Sequence, residues 1–354
     1  MLDVRELLKL SVERNASDIF ITVGIVPTFK IEGVLKPVEG YHVLTPEDTE
    51  KFVMELFKRE DTYNDYLKHG ENDFSLSIHG VGRFRIGVYS QRGTMAAVIR
   101  VLGFDKHEKL LVNKPKIVLD LYNETKGLIL ITGPTGSGKS TTISQIVDLI
   151  NRNRSCHIIT LEDPIEYLHR HEKSIVDQRE IGIDTGSYSQ ALRAAMRQEP
   201  DVIQVGELRD PETIEEALTV SETGHLVISS LHTLGAVKTL DRIIDVFQGN
   251  KQQQIRYQLS TELIAIVSQQ LIPANEHGRI PAFEIMMATP EIKKLIREKK
   301  LAEIDLLLQD SGEEGLLGIN VSIARLCNEG KISLENAYKY CTNRSIVEKH
   351  IKNK

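Results

Sequence analysis

The stretch GLILITGPTGSGKSTT, residues 127–142, decides the fold of this chain. It opens with an apolar run that lacks the alternation of a half-solvated strand, as expected of a strand buried on both faces of a parallel sheet. It continues as Gly133-Pro134-Thr135-Gly136-Ser137-Gly138-Lys139-Ser140, which fits the pattern G-x-x-x-x-G-K-S/T, and an amphipathic segment follows from Thr141. Glycines let such a loop wrap so that backbone N–H groups converge on phosphate oxygens. The helix that starts near Lys139 adds its positive end. Lys139 is placed to reach the β and γ phosphates, and the Ser140 hydroxyl to ligate Mg²⁺. Residues 133–141 therefore predict a site for ATP and Mg²⁺.

Working outward, apolar strands are expected at 157–161, 201–205 and 225–230, with helices at 139–151, 189–198 and 211–222. This alternation predicts an α/β domain over 115–354 with right-handed crossovers. After about 234 the chain reads as mostly helical, with one strand near 280–286. Upstream, 1–101 reads as a smaller α+β domain. It has a helix at 2–14 and strands at 18–23, 28–32, 73–78, 83–89 and 95–101. Thr45 followed by Pro46 predicts an N-cap and first-turn proline, opening a helix to about 58. Residues 102–114, charged and without period, are read as the linker.

The chain has 354 residues and a formal charge of −6, an acidity that argues against a nucleic-acid partner. Its three cysteines, Cys156, Cys327 and Cys341, form no Cys-x-x-Cys pair, which argues against a structural zinc or a disulfide scaffold. No stretch approaches the ~18–20 apolar residues of a membrane span, nor does the N-terminus read as a signal peptide. A cytoplasmic location follows, with any membrane contact made through a partner.

Cutting a phosphate needs a carboxylate at the metal and the water. Glu207 falls just past the strand 201–205, at the end where open α/β sheets bind ligands. A second acidic group, Glu162-Asp163-Pro164-Ile165-Glu166, follows the strand 157–161. His225 and His232 bracket the next strand, with His232 at its carboxyl end as a candidate sensor of the γ-phosphate. Arg193 and Arg197, four apart, share a face of one predicted helix. Arg85 and Arg100 lie on adjacent predicted strands of the N-terminal domain.

Together the segments GPTGSGKSTT, TLEDPIEY, QREIG, ALRAAMRQEPDVIQVGELRDPETIEEAL and ETGHLVISSLHT resemble the Walker A, Asp box, Walker B and His box of the secretion and type IV pilus ATPase superfamily. ASDIFITVGIVPTFKIEGVL and GRFRIGVYSQRGTMAAVIRVL are similar to its small PAS-like domain. TPEIKKLIRE, residues 289–298, is similar to a C-terminal helix of the pilus-retraction (twitching motility) branch. The resemblance implies a RecA-like ATPase domain behind a PAS-like domain. It implies a homohexamer with ATP between subunits, sitting at the inner face of the cytoplasmic membrane on a pilus platform protein. Glu207 and Glu166 would face metal and water, with Glu207 the favoured base and Glu166 its rival, and Arg85 and Arg100 would reach a neighbour's nucleotide. A pilus-assembly or type II secretion ATPase and a non-hydrolysing regulatory subunit are the alternatives.

Overall fold

The computed structural model describes residues 3–102, 114–276 and 278–352. The chain divides into two compact units: Met1–Lys106 with Pro164–Leu168, and His107–Asp163 with His169–Lys354.

The first unit is an antiparallel sheet with helices, the PAS-like α+β domain. Its strands are β1 (Asp18–Ile21), β2 (Thr28–Ile31), β3 (Val34–Pro37), β4 (Glu71–Ile78), β5 (Gly82–Gln91) and β6 (Thr94–Leu102), in the order β3-β2-β1-β6-β5-β4. Phe29, Phe52, Phe84, Ile86 and Ile99 fill its core. The Thr45 hydroxyl accepts from Asp48 N at 3.2 Å, and Thr45 N donates back to the Asp48 carboxylate at 2.9 Å. This reciprocal cap starts the helix Pro46–Leu56, two residues shorter than expected. The helix Glu60–His69 and the exposed edge strand β3 are additions to the sequence reading. Residues 164–168 belong here because Ile165 is buried and Arg83 Nε donates to its carbonyl at 2.9 Å. Of the expected linker, Leu102 still ends β6; residues 103–113 lie outside the described residues.

The second unit is the RecA-like domain. Its strands are β7 (Gly127–Thr132), β8 (His157–Glu162), β9 (Ile175–Glu180), β10 (Val202–Val205), β11 (Leu226–Leu231), β12 (Leu263–Pro273), β13 (Arg279–Met287), β14 (Gly312–Glu313) and β15 (Leu316–Leu317). They form one sheet in the order β14-β15-β13-β12-β7-β11-β10-β8-β9. From β12 through β9 every neighbouring pair is parallel, whereas β13 runs antiparallel to β12. Period-2 alternation sends Leu128 and Leu130 into one core and Ile129 and Ile131 into the core on the other face. This double burial explains why the strands read as unbroken apolar runs.

Two sequence expectations are corrected. The region after 234 is mostly helical but holds more than a single strand: the eleven-residue β12 lies beside β7, at the centre of the sheet, and the short β14 and β15 follow β13. β12 follows the polar helix Asn250–Glu262 with neither glycine nor proline between them, and its own Ser268-Gln269-Gln270 interrupts the apolar run. The helix expected over 189–198 spans Tyr188–Ala195 instead. Pro200 follows and holds its predecessor out of the right-handed helical region; Glu199 has φ 50°. Arg197 therefore lies past the helix end and does not share a helical face with Arg193.

Candidate active site

The phosphate loop leaves β7 and enters the helix Lys139–Asn153, whose N-cap is Gly138 in the left-handed region at φ 89°. Gly133 has φ 140°, and a Cβ there would sit 2.1 Å from the Gln269 carbonyl oxygen on β12. Only a glycine lets the loop lie this close to the sheet. The pattern's glycines are thus explained by contacts as well as by the turn.

Lys139 is 8% exposed and folds back over its own loop. Its Nζ donates to Gly133 O at 3.0 Å and to Pro134 O at 3.2 Å, and it lies 3.3 Å from His232 Nδ1. The Thr135 hydroxyl is 3.4 Å from the same ring nitrogen. His232 Nε2 lies 3.1 Å from Glu207 Oε2. An ammonium at Nδ1 makes that nitrogen an acceptor, so the proton sits on Nε2 and donates to Glu207. The result is a chain Lys139–His232–Glu207. Glu207, 13% exposed, meets a second donor in Arg209, whose Nε lies 2.7 Å from Oε1. It lies two residues beyond β10, and His232 directly follows β11, so adjacent parallel strands deliver both at their carboxyl ends.

The remaining candidates divide between the two units. His225 precedes β11, at the opposite end from His232, with Nδ1 3.0 Å from the Thr223 hydroxyl and 3.2 Å from Val220 O. Arg193 Nη1 donates to Glu212 and Glu216 at 2.8 and 3.0 Å, and Arg197 Nη1 to Arg193 O at 3.1 Å. Glu166 is exposed and belongs to the segment that packs with the first unit. In that unit Arg85 and Arg100 are direct cross-strand neighbours, with Arg85 3.9 Å from Asp73 and Arg100 3.0 Å from Asp18.

Two further contributors join the site. Arg209 lies two residues past Glu207, inside the segment that resembles Walker B, and that spacing is the signal that points to it. Gln269 is 2% exposed, and its Nε2 donates to Ser137 O at 2.6 Å. More than a hundred residues separate it from the loop, and only the position of β12 reveals it.

The loop suits a nucleotide. The hydroxyls of Ser137 and Thr132 are buried with no protein partner, and the cradle excludes a Cβ at Gly133. For Mg²⁺, the Ser140 hydroxyl and the Glu207 carboxylate offer the hard oxygen donors the ion prefers. Among the described residues no group of three or more His, Cys, Asp or Glu side chains is arranged to hold a metal. No helix among them is long and apolar enough to cross a membrane.

Comparison with known proteins places this geometry. Residues 3–315 match the model of the family described as type II/IV secretion system protein. The chain is 38% identical to the type IV pilus retraction ATPase PilT of Pseudomonas aeruginosa, over 95% of this chain and 97% of that protein. It is 36% identical to the type IV pilus ATPase PilU of the same organism, over 99% of this chain and 92% of that one. A crystal structure of the pilus retraction motor PilT with bound ADP superposes with a TM-score of 0.91 at 44% identity, covering 99% of this chain and 100% of the other. The chain is a P-loop ATPase belonging to the type II/IV secretion system protein family.

Proposed function

We propose that this chain is the ATP-hydrolysing motor that drives retraction of a type IV pilus. The observation that carries the ATPase reading is the Lys139–His232–Glu207 chain laid across the phosphate loop. Similarity to a retraction ATPase over nearly the full length of both proteins supports the direction of movement. In this reading the loop amides and Lys139 hold the phosphates. Glu207 orients and deprotonates the attacking water, with Glu166 the rival for that role. His232 links the lysine at the phosphates to the carboxylate, and so reports whether the γ-phosphate is present. Ser140 and Glu207, with Glu166, would hold Mg²⁺, which when bound neutralises charge on the phosphate oxygens.

The active form is a homohexamer docked on the platform protein at the cytoplasmic face of the inner membrane. Arg85 and Arg100 of one copy meet the nucleotide of another. Their register supports this: as direct cross-strand neighbours they share one face of the sheet, where an anion that displaces Asp73 and Asp18 can be met by both guanidinium groups. Closing of the first unit over a neighbour's nucleotide, and reopening after hydrolysis, would move the partner.

ATPase activity against protein concentration, with sizing alongside, tests the proposal. Turnover should rise as the chain assembles. In Glu207→Gln it should fall by at least about 100-fold while ADP binding persists. Wild-type protein that binds ATP and never turns it over would make the chain a regulatory subunit. A deletion strain separates the directions: accumulated surface pili mean retraction, and bald cells mean assembly.

A further inference from the structure

Gln269 sits on β12, one residue beyond the Ser268–Thr132 register pair that closes the parallel ladder with β7. Both ends of its buried amide are committed. Nε2 donates to the Ser137 carbonyl at 2.6 Å, and Oε1 accepts from the Thr142 hydroxyl at 2.8 Å. Thr142 is fully buried on the helix that follows the loop. Because the Ser137 carbonyl can only accept, the amide nitrogen must face the loop, which leaves Oε1 toward the Thr142 hydroxyl.

A trans peptide is planar, and its C=O and N–H point in opposite directions. The bond from Gln269 pins the Ser137 oxygen toward β12. The N–H of the same peptide unit, that of Gly138, is thereby aimed away from the sheet, into the concavity of the loop. Gly138 is the left-handed N-cap of the helix, where an N–H can swing with little steric resistance. The Gln269 backbone carbonyl also lies where a Gly133 side chain would have to go. One residue of β12 therefore fixes both ends of the loop.

We infer that Gln269 is a positioning residue for the nucleotide site: it touches no phosphate, but holds the Gly138 N–H aimed at the phosphate position before the nucleotide arrives. The inference rests on the loop being the ATP site. A contact with a non-transferred phosphate is made equally in the ground and transition states, so its loss should appear in KM with little change in kcat.

The test is steady-state ATPase kinetics and ADP titration of the full chain carrying Gln269→Glu. This variant keeps the size and the acceptor for Thr142, and turns an acceptor oxygen toward Ser137 O. KM for ATP and Kd for ADP should rise about tenfold, with kcat within about twofold. Thr142→Val removes the hydroxyl that donates to Oε1 and steadies the amide, and should move KM the same way by about threefold. Combined with Gln269→Glu, it should add less than its separate effect. It leaves Gln269 in place and carries the test should Gln269→Glu not fold. A lower Tm with unchanged KM and Kd, or a collapse of kcat at constant KM, overturns the inference. If the wild type binds ADP without hydrolysing ATP, the ATPase reading fails and Kd alone decides this one. If it binds no nucleotide, both fall.

Discussion

Lys139, 8% exposed, is an ammonium that has left water, and such a group must be paired or hydrogen-bonded. The carbonyls of Gly133 and Pro134 and the ring of His232 meet that demand. Each of these partners lies on the loop or at a neighbouring strand end, so motif spacing alone points to the lysine and the histidine. It does not point to Gln269, because an amide in an apolar run carries no periodic signal. Glu207 was legible as the carboxylate after an apolar strand, and the structure adds the Arg209 guanidinium and the His232 ring N–H that hold it. At this scale the sharpest expectation is for Gly133→Ala. A Cβ there would meet backbone rather than a yielding side chain, at 2.1 Å from Gln269 O and at φ 140°. The substitution should cost about 2–3 kcal/mol in stability and abolish measurable ADP binding, read by thermal melting and titration calorimetry. Retained affinity at wild-type Tm would mean that β12 and the loop do not pack as described.

Elements that bury apolar side chains on both faces were readable, because burial imposes composition. Those that do not were harder to read. β9 shows two buried residues among exposed and half-buried neighbours, Asp177, Gln178 and Arg179 included, and so looks like a loop. β12 was hidden by its glutamines and by the polar helix before it. Between elements, the contact of Lys114 with the helix Lys139–Asn153 has a measurable pH signature. Its Nζ donates to Gln145 Oε1, and burial pushes the ammonium down from 10.5 to about 7. Between these values the unfolded chain holds a proton that the folded chain lacks, so stability rises with pH from about 7 to about 10.5. Below about 7 the destabilisation is present in full. Lys114→Met should therefore stabilise the protein by about 1–2 kcal/mol at pH 6, an advantage that shrinks toward pH 10 in a series of thermal melts. A variant advantage that does not vary with pH would show that the lysine stays charged in the folded state.

At the scale of the molecule, the sequence distinguishes two domains by their patterns of alternation, yet it does not show that 164–168 groups with the first unit. That grouping depends on a side chain reaching a carbonyl, Arg83 to Ile165, which leaves no trace in composition. The pair Arg85 and Arg100 provides the molecular-scale test. Arg85 and Asp73 are both exposed, a pairing of the kind that contributes ~0–1 kcal/mol, whereas the exposed Arg100 pairs with the buried Asp18. Arg100→Ala should leave ADP affinity within about twofold and lower turnover on the order of 10³-fold, with a lower Tm because the buried Asp18 carboxylate loses its cation. Parallel loss of binding and turnover would remove the proposed action on another copy's nucleotide.

The two margins of the nine-stranded sheet bear on how copies of the chain can meet. One ends in the two-residue β14; the other ends in β9, whose side chains include Asp177, Arg179 and Glu180. Short or charged margins discourage a second chain from adding its backbone to the ladder. Copies would then join through side-chain surfaces. Contacts of that kind can be exchanged without unzipping a sheet, so subunits can shift against one another, turn after turn, with their cores intact.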